Sequence, residues 1–263
     1  MRLRLLALAA VLAAALAAMP APASAAGAYN DFGCKPSRSR PLPVVLVHGT
    51  FVNAALNWGY VGPQLAKAGY CVFALDYGVL NGVGATGDIR RSAAELRTYV
   101  KRVRRATGAR RVDMVGHSQG GMMPRWYLRF LGGARYVDDL VALAPTNHGT
   151  KRAEGIDAPN CPACEQQGTG SSFLRKLNRG RDVEQGVDYT VVQTRLDQTV
   201  LPYTSSFLAG PRSQVTNVLV QRTCPDDAAS HATLAFDPVV LQWIRNALDR
   251  TGPANPRLKP RCG

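Results

Sequence analysis

Ser118 stands in the run Gly116-His117-Ser118-Gln119-Gly120, a match to G-x-S-x-G. An apolar stretch, 112–115, leads into it and a helical stretch, 119–131, follows. Those are the strand and helix that a sharp turn presenting a nucleophilic serine requires. Glycines at 116 and 120 suit so tight a bend, because a side chain there would clash. The same turn places the Gln119 N–H at a helix start, where it can face a developing oxyanion. The competing interpretation is a glycine-rich turn with an inert serine. The partners found elsewhere in the chain discriminate between the two.

A serine hydroxyl is a weak nucleophile until a histidine takes its proton, and a carboxylate must orient that histidine. The chain has four histidines. His48 precedes the serine. His117 adjoins it and is expected to point away from the hydroxyl. His148 lies in a turn-forming run, Asn147-His148-Gly149-Thr150. On an elbow of this type the acid and then the base follow the serine in chain order. Only His231 leaves room for a well-placed acid before it, in a loop at the C-terminal end of a strand. Asp197, directly after the strand-like run 189–195, is the preferred acid; Asp226 and Asp227 are its rivals, in a Pro/Asp turn beside Cys224. The second oxyanion donor belongs in the loop after an early strand, His48-Gly49-Thr50-Phe51. Its N–H comes from Thr50 or Phe51. Thr50 is preferred because its hydroxyl adds a donor.

The elements that must position these groups alternate. Apolar runs at 44–47, 70–75, 112–115, 140–144, 189–195 and 215–221 read as strands, and 57–68, 88–106, 119–131 and 233–248 as helices, with a helical turn at 172–178. In the long helix, Ile89, Ala93, Leu96, Val100 and Val103 keep one face apolar. Alternation of this kind argues for an α/β fold: a mostly parallel sheet of about six strands with helices on both faces. Residues 26–263 read as a single domain, with 151–186 as an insertion that could act as a lid.

Arg2 and Arg4, an apolar run at 5–18 and Ala23-Ser24-Ala25 form a secretory signal peptide, 1–25, with cleavage expected after Ala25. The run is short for a membrane span. Export makes sense of six cysteines as disulfides. Cys161 and Cys164 can close a short loop, Cys262 suits a late partner such as Cys224, and Cys34 and Cys71 remain. Half a zinc site or a redox motif is the alternative for Cys161-x-x-Cys164, but no second such pair exists and the pair sits in a Pro/Gly-rich loop rather than at a strand-helix junction. No metal-ligand set and no cofactor motif emerge. The net charge of +14 reads as an arginine-rich solvated surface that also favours anionic interfaces. No basic-aromatic motif points to nucleic acid.

His48-Gly49-Thr50, Gly116 to Gly121, Asn147 to Thr150 and the late Asp197 and His231 together resemble the secreted bacterial class 2 lipases of the α/β-hydrolase superfamily. The Ser-Gln-Gly-Gly continuation and the early Gly-Thr also resemble the small fungal lipase B type. The resemblance implies an α/β-hydrolase fold and a serine ester hydrolase without a cofactor. It gives Ser118 as nucleophile, Asp197 as acid, His231 as base, and Thr50 and Gln119 as oxyanion donors. The pairs Cys34–Cys71 and Cys224–Cys262 look like the lipase B arrangement; Cys161–Cys164 has no counterpart there. Phe51 and Leu201 are expected in the acyl pocket. The substrate is then a lipid or other ester met at an interface, and the protein an extracellular monomer. A short-chain carboxylesterase, a polyester hydrolase, an acyltransferase and a noncatalytic surface protein of the same fold are the competing readings.

Overall fold

The computed structural model describes residues 29–154 and 160–262. The expected signal peptide, 1–25, and residues 155–159 of the insertion lie outside them. Six strands form one sheet: β1 (Val44–Val47), β2 (Val72–Leu75), β3 (Val112–His117), β4 (Val137–Leu143), β5 (Asp188–Gln193) and β6 (Val215–Leu219). Their order is β2-β1-β3-β4-β5-β6 and every pairing is parallel. β1 and β2 are apolar throughout and the other strands carry apolar runs, because helices cover both faces. Val45, Val47, Phe73 and Met114 belong to a core shared with α3 (Ile89–Thr107) and α4 (Gln119–Phe130). Val44, Leu46, Val72 and Val115 belong to a second core, against α2 (Val61–Lys67) and α8 (Pro238–Leu248).

The chain goes from β1 outward to β2, then returns to place β3 on the other side of β1 and builds outward from there. The loops leaving β1 and β3 therefore part above the sheet. Such a reversal of strand order is where open α/β sheets bind ligands, beyond the carboxyl ends of the strands. His48-Gly49-Thr50 and Ser118 are the residues that these two strands deliver there.

The helices agree with the expected ones where a cap is strong. Asp88 accepts the N–H groups of Arg90 and Arg91 to begin α3, and Gly108 closes it at φ 77°. The expected helix over 57–68 is two helices, α1 (Ala54–Asn57), capped by Asn53, and α2, separated by Trp58-Gly59-Tyr60. The expected helix over 233–248 is a 3₁₀ turn, Leu234–Phe236, followed by α8. Pro238 has no N–H to continue a helix, and Asp237 caps Val239 and Val240 to start a new one. Strand β6 stops at Leu219, two residues before its expected end, where α7 (Val220–Thr223) begins.

The insertion is more regular than its glycine and proline content suggests. It carries α5 (Pro162–Gln166), which opens on Cys161 and Pro162, and α6 (Ser172–Leu177), whose Phe173, Leu174 and Leu177 are buried. Disulfides join Cys34 to Cys71, Cys161 to Cys164 and Cys224 to Cys262. Among the described residues no helix is long and apolar enough to cross a membrane. Asp113 and Asp139 are buried where β3 and β4 begin. Burial first, then neighbouring acids, pushes their carboxyls up to about 8 and about 9.

A Cβ on Gly116 would lie 1.9 Å from the Gly120 carbonyl oxygen, and one on Gly120 would lie 2.1 Å from the Val47 carbonyl oxygen. Backbone cannot yield as a flexible side chain can. Gly120→Ala is expected to cost about 3 kcal/mol, the upper end for overpacking. Urea denaturation measures it, and an unchanged midpoint would contradict the close approach.

Candidate active site

Ser118 follows β3 directly and begins α4 at φ 55°, ψ −124°, a left-handed φ that a side-chain-bearing residue rarely adopts. Its N–H donates to the Leu143 carbonyl at the end of β4 (2.8 Å), which fixes the bend against the neighbouring strand. Gly49, in the loop after β1, lies so close that a Cβ there would sit 3.2 Å from the Ser118 Cβ. The first loop is thus pressed against the serine.

His231 reaches the site from beyond β6, and Asp197 from the loop after β5. The imidazole Nδ1 donates to Asp197 Oδ2 at 2.9 Å. The other carboxylate oxygen, Oδ1, accepts the N–H groups of Thr199 and Val200, both at 2.8 Å. One oxygen anchors the acid to its loop and the other is left for the histidine. Burial works to raise the Asp197 carboxyl. The hydrogen bond and charge of His231, with the two N–H groups, outweigh it and hold the carboxyl below its usual range. Asp226 is exposed and Asp227 half-buried; both line a different pocket, and Asp227 Oδ1 accepts the Ala229 N–H.

The oxyanion candidates differ in what already occupies them. The Phe51 N–H is committed to the Gly84 carbonyl at 3.0 Å. Thr50 N–H has no such acceptor among the described residues. Gln119 is the first residue of α4, so its N–H has no intrahelical partner. Thr50 Oγ1 accepts from Gln119 Nε2 (3.0 Å) and from Gln167 Nε2 (3.1 Å). With both lone pairs taken, the Thr50 hydroxyl has only its hydrogen left to offer.

Several supporting residues escaped the sequence reading. His117 does not simply turn away from the serine. Its ring packs on that of His231 with centroids 5.0 Å apart; Nδ1 lies 3.0 Å from Asn57 Oδ1 and Nε2 lies 2.8 Å from the His231 carbonyl, and the single N–H of the neutral ring can donate to only one of these oxygens. Burial, then repulsion from His231, pushes its pKa down to about 3, so it is neutral near pH 7. Asn57 Oδ1 accepts the Gly49 N–H at 3.0 Å, so one amide stands between the early loop and His117. Gln167 sits in the insertion, where nothing local in the sequence marks it. His48 and His148 are bound in the framework. The His48 ring lies 2.8 Å from the Gly49 carbonyl and stacks on Tyr77; His148 bridges the Ser205 carbonyl and Asp182.

These groups open into a cavity of about 570 Å³ with mostly apolar walls. Ser118, His231, Thr50 and Phe51 line it, as do Ala153, Cys164 and Gln167 from the insertion. Leu201 is not part of the wall. Its backbone is tied instead to Thr150 Oγ1 and to the Lys151 N–H. Phe51 and Leu56 stand exposed at the cavity, at 63% and 65%.

The sequence signature of the family Lipase (class 2) matches residues 41–244. The chain is 35% identical over 89 residues to a triacylglycerol lipase of Pseudarthrobacter phenanthrenivorans, a match covering 32% of this chain and 27% of that protein. It is 33% identical over 103 residues to lipase B of Pseudozyma antarctica, covering 38% and 30%. The matched stretches therefore span less than a third of these relatives' lengths. Among solved structures, Aspergillus fumigatus lipase B superposes with a TM-score of 0.71 at 24% identity, covering 82% of this chain and 55% of that one.

Because the Asp197 carboxyl is held below its unfolded value, its ionised form stabilises the folded state above pH ~4, and the contribution is lost as pH falls through the folded pKa. Asp197→Asn is expected to melt below the parent at pH 7, with the gap closing as the pH drops beneath 4. A gap independent of pH would contradict the ionised carboxylate.

Proposed function

The chain belongs to the class 2 lipase family, and from that premise we propose that it hydrolyses carboxylic esters of lipids through an acyl-enzyme on Ser118. The observation that carries the reading is the His231–Asp197 pair opening, with Ser118, into one apolar cavity. Ser118 Oγ attacks the ester carbonyl while His231 accepts its proton through the ring nitrogen that Asp197 does not hold. Asp197 keeps the imidazole in the required tautomer and stabilises its charge. The N–H groups of Thr50 and Gln119 bind the oxyanion, and the Thr50 hydroxyl adds its free hydrogen. His231 then protonates the leaving alkoxide. Water, activated by the same histidine, releases the acid and restores Ser118.

The apolar walls favour an acyl chain over a polar substituent. Phe51 and Leu56, exposed at the cavity, favour a substrate presented at an interface. The insertion contributes wall residues on the acyl side, and 151–186 is the segment we assign as lid. In this reading the protein is a secreted monomer, freed of residues 1–25, which accords with its three disulfides.

An ester series of rising acyl length tests the substrate class. Turnover should extend to long acyl chains and rise on emulsified substrate. Confinement to short soluble esters would make the protein a carboxylesterase, and no turnover would remove the enzyme reading. Ser118→Ala should reduce kcat about 10⁶-fold. Asp197→Asn should cost about 10⁴-fold, while Asp226→Asn stays close to the parent. Thr50→Ala, which removes the hydroxyl donor, should lower kcat about 10²-fold with little change in KM. Loss confined to Asp226→Asn would reassign the acid.

A further inference from the structure

At the end of the sheet away from Ser118, three carboxylates converge. Asp113 is the second residue of β3, and Asp138 and Asp139 are the second and third of β4. In an unbroken strand Asp138 and Asp139 would point to opposite faces. The register between β3 and β4 shifts here, from Val112↔Val137 to Met114↔Leu140. Two residues of β4 therefore stand opposite Asp113 alone, the arrangement of a bulge, and bulges re-aim side chains. As a result, one oxygen from each of the three carboxylates lies within 4.8 Å of the others.

Their partners do not account for them. Arg111 pairs with Asp138 at 2.6 Å. Asp113 and Asp139 are each only 3% exposed, and neither has an ion-pair partner among the described residues. Asp113 Oδ1 accepts the Asp139 N–H at 3.3 Å, whereas Asp139 Oδ1 is buried with no partner. A buried, unpartnered carboxylate oxygen is costly unless a cation or a proton meets it. The acids line a pocket of about 250 Å³, with room for water beside an ion. The other basic side chains on its wall are engaged: Arg40 pairs with Asp249 at 3.0 Å, and Arg250 donates to the Pro253 carbonyl.

We propose that this pocket binds a divalent cation of calcium size through Asp113, Asp138 and Asp139, with water completing the coordination. Calcium takes oxygen ligands at about 2.3–2.6 Å in flexible geometry, so oxygens up to about 5 Å apart can share one ion. Magnesium needs about 2.0–2.1 Å and near-octahedral order and gives up its waters reluctantly, so a corner of three carboxylates suits it less. The ion is structural. Asp113 lies five residues before Ser118, about 17 Å away along the strand, so it touches no reacting atom. It would pin together the starts of the strand that presents Ser118 and of its neighbour.

The full chain, stripped with EDTA, is titrated with calcium chloride by calorimetry and melted with and without the ion. One-site binding is expected, with Tm rising about 3–5 °C at tenfold the Kd and a smaller rise with magnesium. Asp139→Asn should abolish the calcium response while ester turnover well below the melt is unchanged. If that variant does not fold, the partly exposed Asp138→Asn carries the test, with binding weakened at least tenfold. Equal melting in calcium and EDTA with no heat of binding would overturn the proposal and leave the buried acids neutralised by a proton. An unaltered calcium response in both variants would also overturn it.

Discussion

At the turn between β3 and α4, backbone meets backbone with no space for a single Cβ. Gly116 passes under the Gly120 carbonyl, and Gly120 in turn abuts the Val47 carbonyl at the end of β1. This contact allows the helix to start directly above the strand. It forces Ser118 into a left-handed φ, leaves the Gln119 N–H without an intrahelical acceptor, and draws the loop after β1 against the serine. The site is therefore anchored in the core. Met122 and Met123, on the same helix, are fully buried against the sheet, so the elbow cannot relax without disturbing that packing.

The remaining groups come from the same edge because parallel strands deliver all their following loops there. Strand β1 supplies Thr50, β3 supplies Ser118 and Gln119, the loop after β5 supplies Asp197, and the chain beyond β6 supplies His231. Hydrogen bonds convert nearness into orientation. Asp197 divides its oxygens between its own loop and His231. His117, neutral because it is buried, lies against the carbonyl of His231 and against Asn57, whose Oδ1 accepts from the early loop.

Much of the site was legible because its signals are local or ordered along the chain. The glycine pair around Ser118, the caps of α3 and the late position of His231 could all be read without coordinates. The Asp237-Pro238 start of α8 is equally visible, although the apolar spacing of 233–248 runs across it. What could not be read depends on distant residues meeting. Gln167 supports Thr50 from an insertion that looked irregular, His117 lies against a carbonyl far along the chain, and the Leu201 backbone is held by Thr150. The convergence of Asp113, Asp138 and Asp139 depends on a register shift, and no sequence period records one.

The central claim is that Ser118 carries the acyl group because Asp197 and His231 activate it. Covalent labelling with an alkyl phosphonate ester, followed by peptide mapping, tests that claim without assuming the natural substrate. The account predicts a single adduct on Ser118, absent from Ser118→Ala and formed far more slowly in Asp197→Asn. An adduct on another residue, or labelling of Ser118 at the parent rate in Asp197→Asn, would contradict it.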